Sequence, residues 1–263
     1  SRVHNWFGKK QAPGELQIVF LTGFPRTGTT AMKYYFGSYP GLEINPFDPA
    51  GFHKAWNKKI SREDKAPILV DKSNHYIKSP GIIFRACKDN AKLCCIVRDP
   101  RDSLISLMTF PEAREVPRKE GFWRYWYKNY SRFLDFAQNH PLGSQIYLLR
   151  YEDFVTYPDQ AKNDYLQWLG LDTKIEAIDN TYCLPDKREF VKDKVHQWKT
   201  ITTASLQRWQ KESLDKAHQE LVKSWEKHDH VKELMLDFGY GKNGLEDPRI
   251  KPDRFRLFRP EKN

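Results

Sequence analysis

The segment Gly23-Phe-Pro-Arg-Thr-Gly28-Thr29-Thr30 follows directly on the apolar run Leu16-Gln-Ile-Val-Phe-Leu21, and it constrains the fold more than any other part of the chain. A short apolar run rich in β-favouring residues is a candidate buried strand. Two glycines with four residues between them then turn the chain, and hydroxyl residues open a helix. Backbone N–H groups and the positive helix end therefore converge on one point, which is a phosphate cradle. The spacing is that of a Walker A loop, G-x-x-x-x-G-K-[ST], with Thr29 where the lysine belongs. A nucleoside triphosphatase uses that lysine on its outer phosphates, so this loop is read as holding one phosphate, with Arg26 as its movable cation. The plain alternative is a tight turn that binds nothing.

A second segment has the same grammar. Lys92-Leu-Cys-Cys-Ile-Val97 is a strand-like run that leads into Arg98-Asp-Pro-Arg-Asp102-Ser-Leu-Ile-Ser106. Pro100 suits a helix start and Asp99 a cap before it. Arg98 then stands at a strand end, Arg101 on the first helical turn, and Ser106 about two turns in. A guanidinium fork and a hydroxyl can grip a second phosphate from two sides. A plain Arg-Asp pair at a helix start is the competing reading.

Together these segments resemble the sulfotransferases that use 3'-phosphoadenosine 5'-phosphosulfate. Gly23 to Thr30 is similar to that family's 5'-phosphosulfate loop, and Val97 to Ser106 to its 3'-phosphate motif. Leu148-Leu-Arg-Tyr151-Glu-Asp-Phe154 is similar to the Tyr-Glu-Asp that follows a strand in these enzymes. Val195-His-Gln-Trp198-Lys199 is a weaker match, to the tryptophan-lysine after the nucleotide-covering loop. There are departures too. Many cytosolic members carry lysine at the position of Arg26, and Val191 to Trp198 lacks the family's glycine-rich lid.

The resemblance implies a donor, 3'-phosphoadenosine 5'-phosphosulfate, and no metal. The acceptor would be a hydroxyl on a carbohydrate or a small alcohol or phenol. It places Thr27, Gly28, Thr29 and Thr30 at the 5'-phosphate and Arg98 and Ser106 at the 3'-phosphate. Tyr151 would bond the nucleotide, and Arg26 and Lys72 would supply charge at the bridging oxygen. Lys192 and Lys194 are further candidates for the 3'-phosphate, against a reading as a solvated basic loop. The base is His75, which follows Lys72 after Ser73 and Asn74, or else Asp71, as in branches that use a carboxylate. Two other classes compete: a P-loop nucleotide kinase, which lacks its lysine here, and a non-catalytic polyanion or nucleic-acid binder.

Strand-like runs at 16–22, 68–71, 92–97 and 145–150 are separated by helical stretches at 28–38, 79–89, 101–109, 119–139, 158–169 and 203–237, the last as one helix or broken into two. That order predicts an α/β fold, a central parallel sheet flanked by helices. Ligands gather at the carboxyl ends of such strands, where Gly23, Asp71, Arg98 and Tyr151 fall. No linker or repeat divides residues 1–263, which are expected to form a single domain with 239–263 as a basic tail. The chain has 44 Lys and Arg against 34 Asp and Glu, a net +10 that suits a polyanionic donor and an acidic acceptor. Its basic residues lie among acidic ones rather than on one face, which argues against nucleic acid.

Trp123, Trp126, Tyr127 and Tyr130 recur at helical spacing and are read as core. Phe47, Phe52, Trp56 and Phe110 are candidate acceptor-pocket residues. His53, His228 and His230 have no metal-ligand company, and Cys87, Cys94, Cys95 and Cys183 match no zinc spacing. No membrane-spanning run is visible and oligomeric state is left open. Free thiols in a buried strand favour a reduced, cytoplasmic setting. The sequon at Asn129-Tyr-Ser131, with a chain that starts at Ser1, keeps a Golgi lumen and a removed anchor as the alternative.

Overall fold

The computed structural model describes residues 17–44, 68–87, 90–108, 121–176, 203–210 and 214–240. The apolar runs become the strands of one parallel sheet: β1 (Gln17–Gly23), β2 (Leu42–Ile44), β3 (Ile68–Lys72), β4 (Ala91–Val97) and β5 (Ile146–Arg150), in the order β2-β3-β1-β4-β5. Helices cover both faces, so the strands are apolar on both sides rather than alternating. Ile18, Phe20, Leu69, Leu93 and Cys95 face α2 (Pro80–Cys87), α3 (Pro100–Met108) and α4 (Gly121–Asn139). Val19, Leu21, Val70, Cys94 and Ile96 face α1 (Thr29–Phe36) and, beyond the short α5 (Tyr151–Thr156), α6 (Pro158–Leu169).

The expected strands and the first five helices are present to within three residues at each end. The edge strand β2 has 3 residues, too short to show a period. Helix α5 escapes for a similar reason, ending where the residue before Pro158, Tyr157, leaves helical geometry at φ −131° and ψ 63°. The helical stretch expected over 203–237, as one helix or two, divides further, into 3₁₀ turns at Thr203–Ser205 and Arg208–Gln210, α7 (Lys216–Lys223), a 3₁₀ turn at Ser224–Lys227 and α8 (Asp229–Asp237). Gln207 breaks it first, in the left-handed region at φ 49°. Asp215 then starts α7 afresh, its carboxylate accepting from His218 N at 2.8 Å.

The aromatic stripe of α4 is core as expected: Trp123, Trp126 and Tyr130 are fully buried and Tyr127 is half-buried. His228 and His230 pack beside it, on the rings of Trp123 and Tyr127. Asn129 is buried and its amide donates to Tyr125 O at 2.7 Å, so in this fold the sequon's side chain is turned inward rather than displayed. Cys87, Cys94 and Cys95 are buried free thiols. Among the described residues no helix is long and apolar enough to cross a membrane. Lys192, Lys194, the Val195–Lys199 match, His53, Cys183, the four candidate pocket aromatics and 241–263 lie outside the described residues.

Candidate active site

Strand order places β1 between β3 and β4, and the chain leaves β1 towards one side of the sheet and later returns to the other. A crevice therefore opens beyond the carboxyl ends of these strands. All the expected strand-end residues reach that edge: Gly23 closes β1, Asp71 and Lys72 close β3, Arg98 follows β4 and Tyr151 follows β5.

The first loop is built mostly from backbone. Gly28 sits at φ 87°, and a Cβ there would lie 2.4 Å from Tyr151 Cδ2, so glycine is required both for the turn and for the ring above it. At Gly23 a Cβ would meet Ile96 O at 2.6 Å. Thr29, Thr30 and Ala31 open α1, so their amides have no carbonyl within the helix to donate to, and no acidic residue stands in the first turn. Such a loop end fits an anion. Thr27 is turned inward: its hydroxyl donates to Phe24 O at 2.7 Å and its amide to the same oxygen at 3.3 Å. Both donors are spent on shaping the loop, which corrects its reading as a direct phosphate contact. Thr29 Oγ1 donates to Asn74 Oδ1 at 3.2 Å and ties the loop to the segment after β3.

The second subsite is built from side chains. Arg98 is 4% exposed; its Nη1 donates to Arg26 O at 3.1 Å and its Nη2 to Ser205 O at 2.7 Å, with its guanidinium 4.5 Å from the centre of the Tyr151 ring. Its Nε is buried and has no hydrogen-bond partner among the described residues. An unpartnered guanidinium N–H is costly, and an anion beside it would relieve that cost. Arg26, at φ 72°, sends its Nε to Ser106 Oγ at 3.0 Å. Three of the expected residues, Arg26, Arg98 and Ser106, thus form one cluster, and Arg26 spans from the first loop to the second subsite. Tyr151 completes it, its hydroxyl sharing a hydrogen bond with Ser205 Oγ at 2.8 Å.

Arg101 belongs to another network. It is fully buried, paired with Asp99 at 2.7 Å, with its guanidinium 3.9 Å from the Trp209 ring centre and 4.6 Å from that of Trp225. This is the plain Arg-Asp pair weighed above, buried instead of exposed. Asp99 also receives support from below: its amide donates to Glu152 Oε1 at 2.8 Å, while Tyr240 donates to Oε2 at 2.7 Å. Burial pushes the Glu152 carboxyl up to about 7. Burial, and then the neighbouring Asp99, likewise raise Asp102 to about 6.

The two base candidates separate cleanly. The pleat of β3 sends Asp71 and Lys72 to opposite faces of the sheet. Asp71 is fully buried and accepts a short hydrogen bond from the Tyr76 hydroxyl. Burial and the Asp71 carboxylate together push the Tyr76 phenol far above its ordinary range. Lys72 is half-buried, in register with Leu21. His75 is exposed at the crevice edge, where its amide donates to Ser73 Oγ at 3.2 Å. The segment is pinned by Thr22, whose hydroxyl donates to Ser73 O at 2.8 Å and accepts from Ile77 N at 3.0 Å.

Four contributors escaped the sequence. Tyr130 was visible only as part of the core stripe, yet its hydroxyl accepts from Phe24 N at 3.1 Å and donates to Ile96 O at 2.6 Å, bracing the first loop. Asn74 sat between two candidates with no role of its own. Asp102 lay inside the second motif without an assigned partner. Ser205 carried no local signal, because its partners are distant in the chain.

Comparison with known proteins follows this geometry. The model of the sulfotransferase family matches residues 48–174, which include Arg98, Ser106 and Tyr151 but neither the first loop nor Ser205. Human sulfotransferase 6B1 is 28% identical over 131 residues, 46% of this chain and 40% of that protein, so the aligned stretch spans less than half of the relative's length. The sulfotransferase domain of the Synechococcus PCC 7002 olefin synthase superposes with a TM-score of 0.55 at 18% identity, covering 82% of this chain and 98% of that one. A sulfotransferase from Alicyclobacillus acidocaldarius aligns with a TM-score of 0.49 at 16% identity, over 72% of this chain and 92% of its own. The family this chain resembles, in sequence and in fold, is the sulfotransferase family.

Proposed function

We propose that the chain moves a sulfuryl group from 3'-phosphoadenosine 5'-phosphosulfate to the hydroxyl of an acceptor. One observation carries the reading: two anion subsites stand side by side at the strand ends, and Arg26 bridges them through Ser106 and Arg98. A donor with phosphates at both ends of its ribose matches that pair, whereas a triphosphate would need the lysine that Thr29 replaces. When bound, the donor supplies an activated sulfuryl group on a good leaving phosphate.

The chain's own residues have distinct tasks. The amides opening α1 orient the 5'-phosphate without moving, since the loop is already braced by Tyr130. Arg98 Nε and Ser106 hold the 3'-phosphate, and the Arg98 guanidinium is kept beside the Tyr151 ring. Arg26 and Lys72 provide positive charge near the group that leaves. His75, exposed at the edge, is free to take the acceptor's proton, while Asp71 is covered by Tyr76 and would have to be uncovered first. The surplus of positive charge, net +10, favours acceptors that carry acidic groups.

Calorimetry with adenosine 3',5'-bisphosphate tests the nucleotide half of this reading: it should bind well ahead of ATP with magnesium, and the reverse order would overturn it. A transfer assay tests the rest. His75→Ala is expected to keep nucleotide binding and lose at least about a hundredfold in transfer. Retained transfer in His75→Ala with loss in Asp71→Asn would move the base to the carboxylate.

A further inference from the structure

Residues 203–210 lie across the second subsite as a strap, and one buried carboxylate fastens them. Asp102, 1% exposed on α3, accepts from Gln207 N at 2.8 Å through Oδ2 and from Trp209 N at 3.2 Å through Oδ1. Both amides belong to the stretch that leaves helical geometry at Gln207, φ 49°. Two residues upstream, Ser205 gives its carbonyl to Arg98 and its hydroxyl to Tyr151. Trp209 lies over Arg101, so the far end of the strap is packed as well as bonded.

We propose that Asp102 is a positioning residue: by holding the strap's backbone it sets Ser205 against Arg98 and Tyr151, and so aims both side chains at the 3'-phosphate. The proposal rests on the nucleotide reading above for its ligand, but not for the fastening itself. Without Asp102 the Ser205 carbonyl has no fixed place, and Arg98 would trade a set direction for several. A positioned fork loses less freedom on binding than a mobile one, and this is where affinity would be gained.

The charge on Asp102 is part of the device. A carboxylate accepts from both amides at once, while a protonated carboxyl turns one oxygen into a donor. The groups facing it are Asp99, which opposes its ionisation, Arg98 at 3.9 Å, which favours it, and the two strap amides, which also favour it. Arg101 is committed to Asp99 and to the rings of Trp209 and Trp225. Since burial raises the carboxyl to about 6, the fastening is complete at neutral pH and weakens as pH falls through that value.

The test uses the full chain. Hydrogen exchange of the 203–210 amides, corrected for its intrinsic pH dependence, should show protection at pH 7.5 that drops near pH 6 in the wild type. In Asp102→Asn protection should be lower and indifferent to pH over that range, with the β4 amides unchanged. Calorimetry with adenosine 3',5'-bisphosphate should show about a tenfold loss in Asp102→Asn, and little loss for 5'-AMP. The ligand's own phosphates titrate near pH 6, so the difference between variant and wild type is the quantity read. In steady state the donor KM should rise more than kcat falls. Unchanged strap protection, or equal losses for both nucleotides, would overturn the proposal. Should the variant fail to fold, the pH course of wild-type exchange still decides. A chain that binds neither nucleotide while the strap loosens as described would break the functional reading and leave the fastening standing.

Discussion

The two anion subsites sit side by side at the same sheet edge, and they are made in opposite ways. The first is backbone: a glycine at φ 87°, a helix start, and hydroxyls that mostly serve the loop itself. The second is side chain: a buried guanidinium, a serine, a tyrosine ring, and a strap drawn from more than 100 residues further on, as the 107-residue separation between Arg98 and Ser205 shows. A backbone site offers its amides whatever side chains it carries, and here it needs only a brace from Tyr130 and room beneath the Tyr151 ring. A side-chain site must be supported at each atom, which here means Asp102 beneath the strap and Glu152 beneath Asp99.

The sharpest way to break that contrast is to remove the side-chain site's central group. Arg98→Ala should weaken adenosine 3',5'-bisphosphate by about 2–4 kcal/mol, the scale for losing a buried charge-assisted pair, with 5'-AMP changed little. Equal losses in calorimetry would make Arg98 a structural residue and dissolve the division into two subsites. The backbone site is probed by Gly28→Ala, which puts a Cβ into the Tyr151 ring and forces alanine into the left-handed region. A cost of about 2–3 kcal/mol is expected from strain and overpacking, and it should fall on both nucleotides alike. Loss confined to the bisphosphate would show that the displaced Tyr151, rather than the loop, carries the effect.

The smallest effect concerns the prop. Glu152 is raised to about 7 by burial, so between the ordinary glutamate range and pH 7 the folded chain holds a proton that the unfolded chain has released. Its contribution to stability is therefore present at low pH and is lost as pH rises through about 7. Glu152→Gln should flatten that part of the stability profile in a thermal melt taken from pH 4.5 to 8. A variant with the wild-type slope would assign the pH dependence to another group.

What could be read from the sequence follows the same division. The first loop was legible because glycine spacing and an apolar run are local signals, and Gly23 and Gly28 fall where the turn needs them. Arg98 and Ser106 were legible because a proline and an aspartate mark the helix between them; Asp99 does accept from Arg101 N at 2.9 Å. Ser205, Gln207 and Trp209 were not, since the period of 203–237 suggests helix throughout, in one piece or two, and the carboxylate that holds this backbone is distant in the chain. Arg101 was placed on the first helical turn by spacing alone, and its packing role shows only in the pair with Asp99 and the two tryptophans around it. His75 and Asp71 differ in burial, and the sequence does not show that difference because it depends on where Tyr76 places its hydroxyl.

The Tyr130 hydroxyl has a consequence for the order in which this chain can mature. It braces the first loop at Phe24 across a separation of 106 residues, and it reaches β4 at Ile96 as well. During synthesis, at about 5–20 residues per second, the loop emerges early but lacks this brace for several seconds more. Until α4 docks, the Phe24 amide has no tyrosine to meet, and the loop is an ordinary turn. Nucleotide in the surroundings therefore has nothing to rescue in a nascent or truncated fragment that stops short of α4, and its protective effect should begin only once that helix is in place.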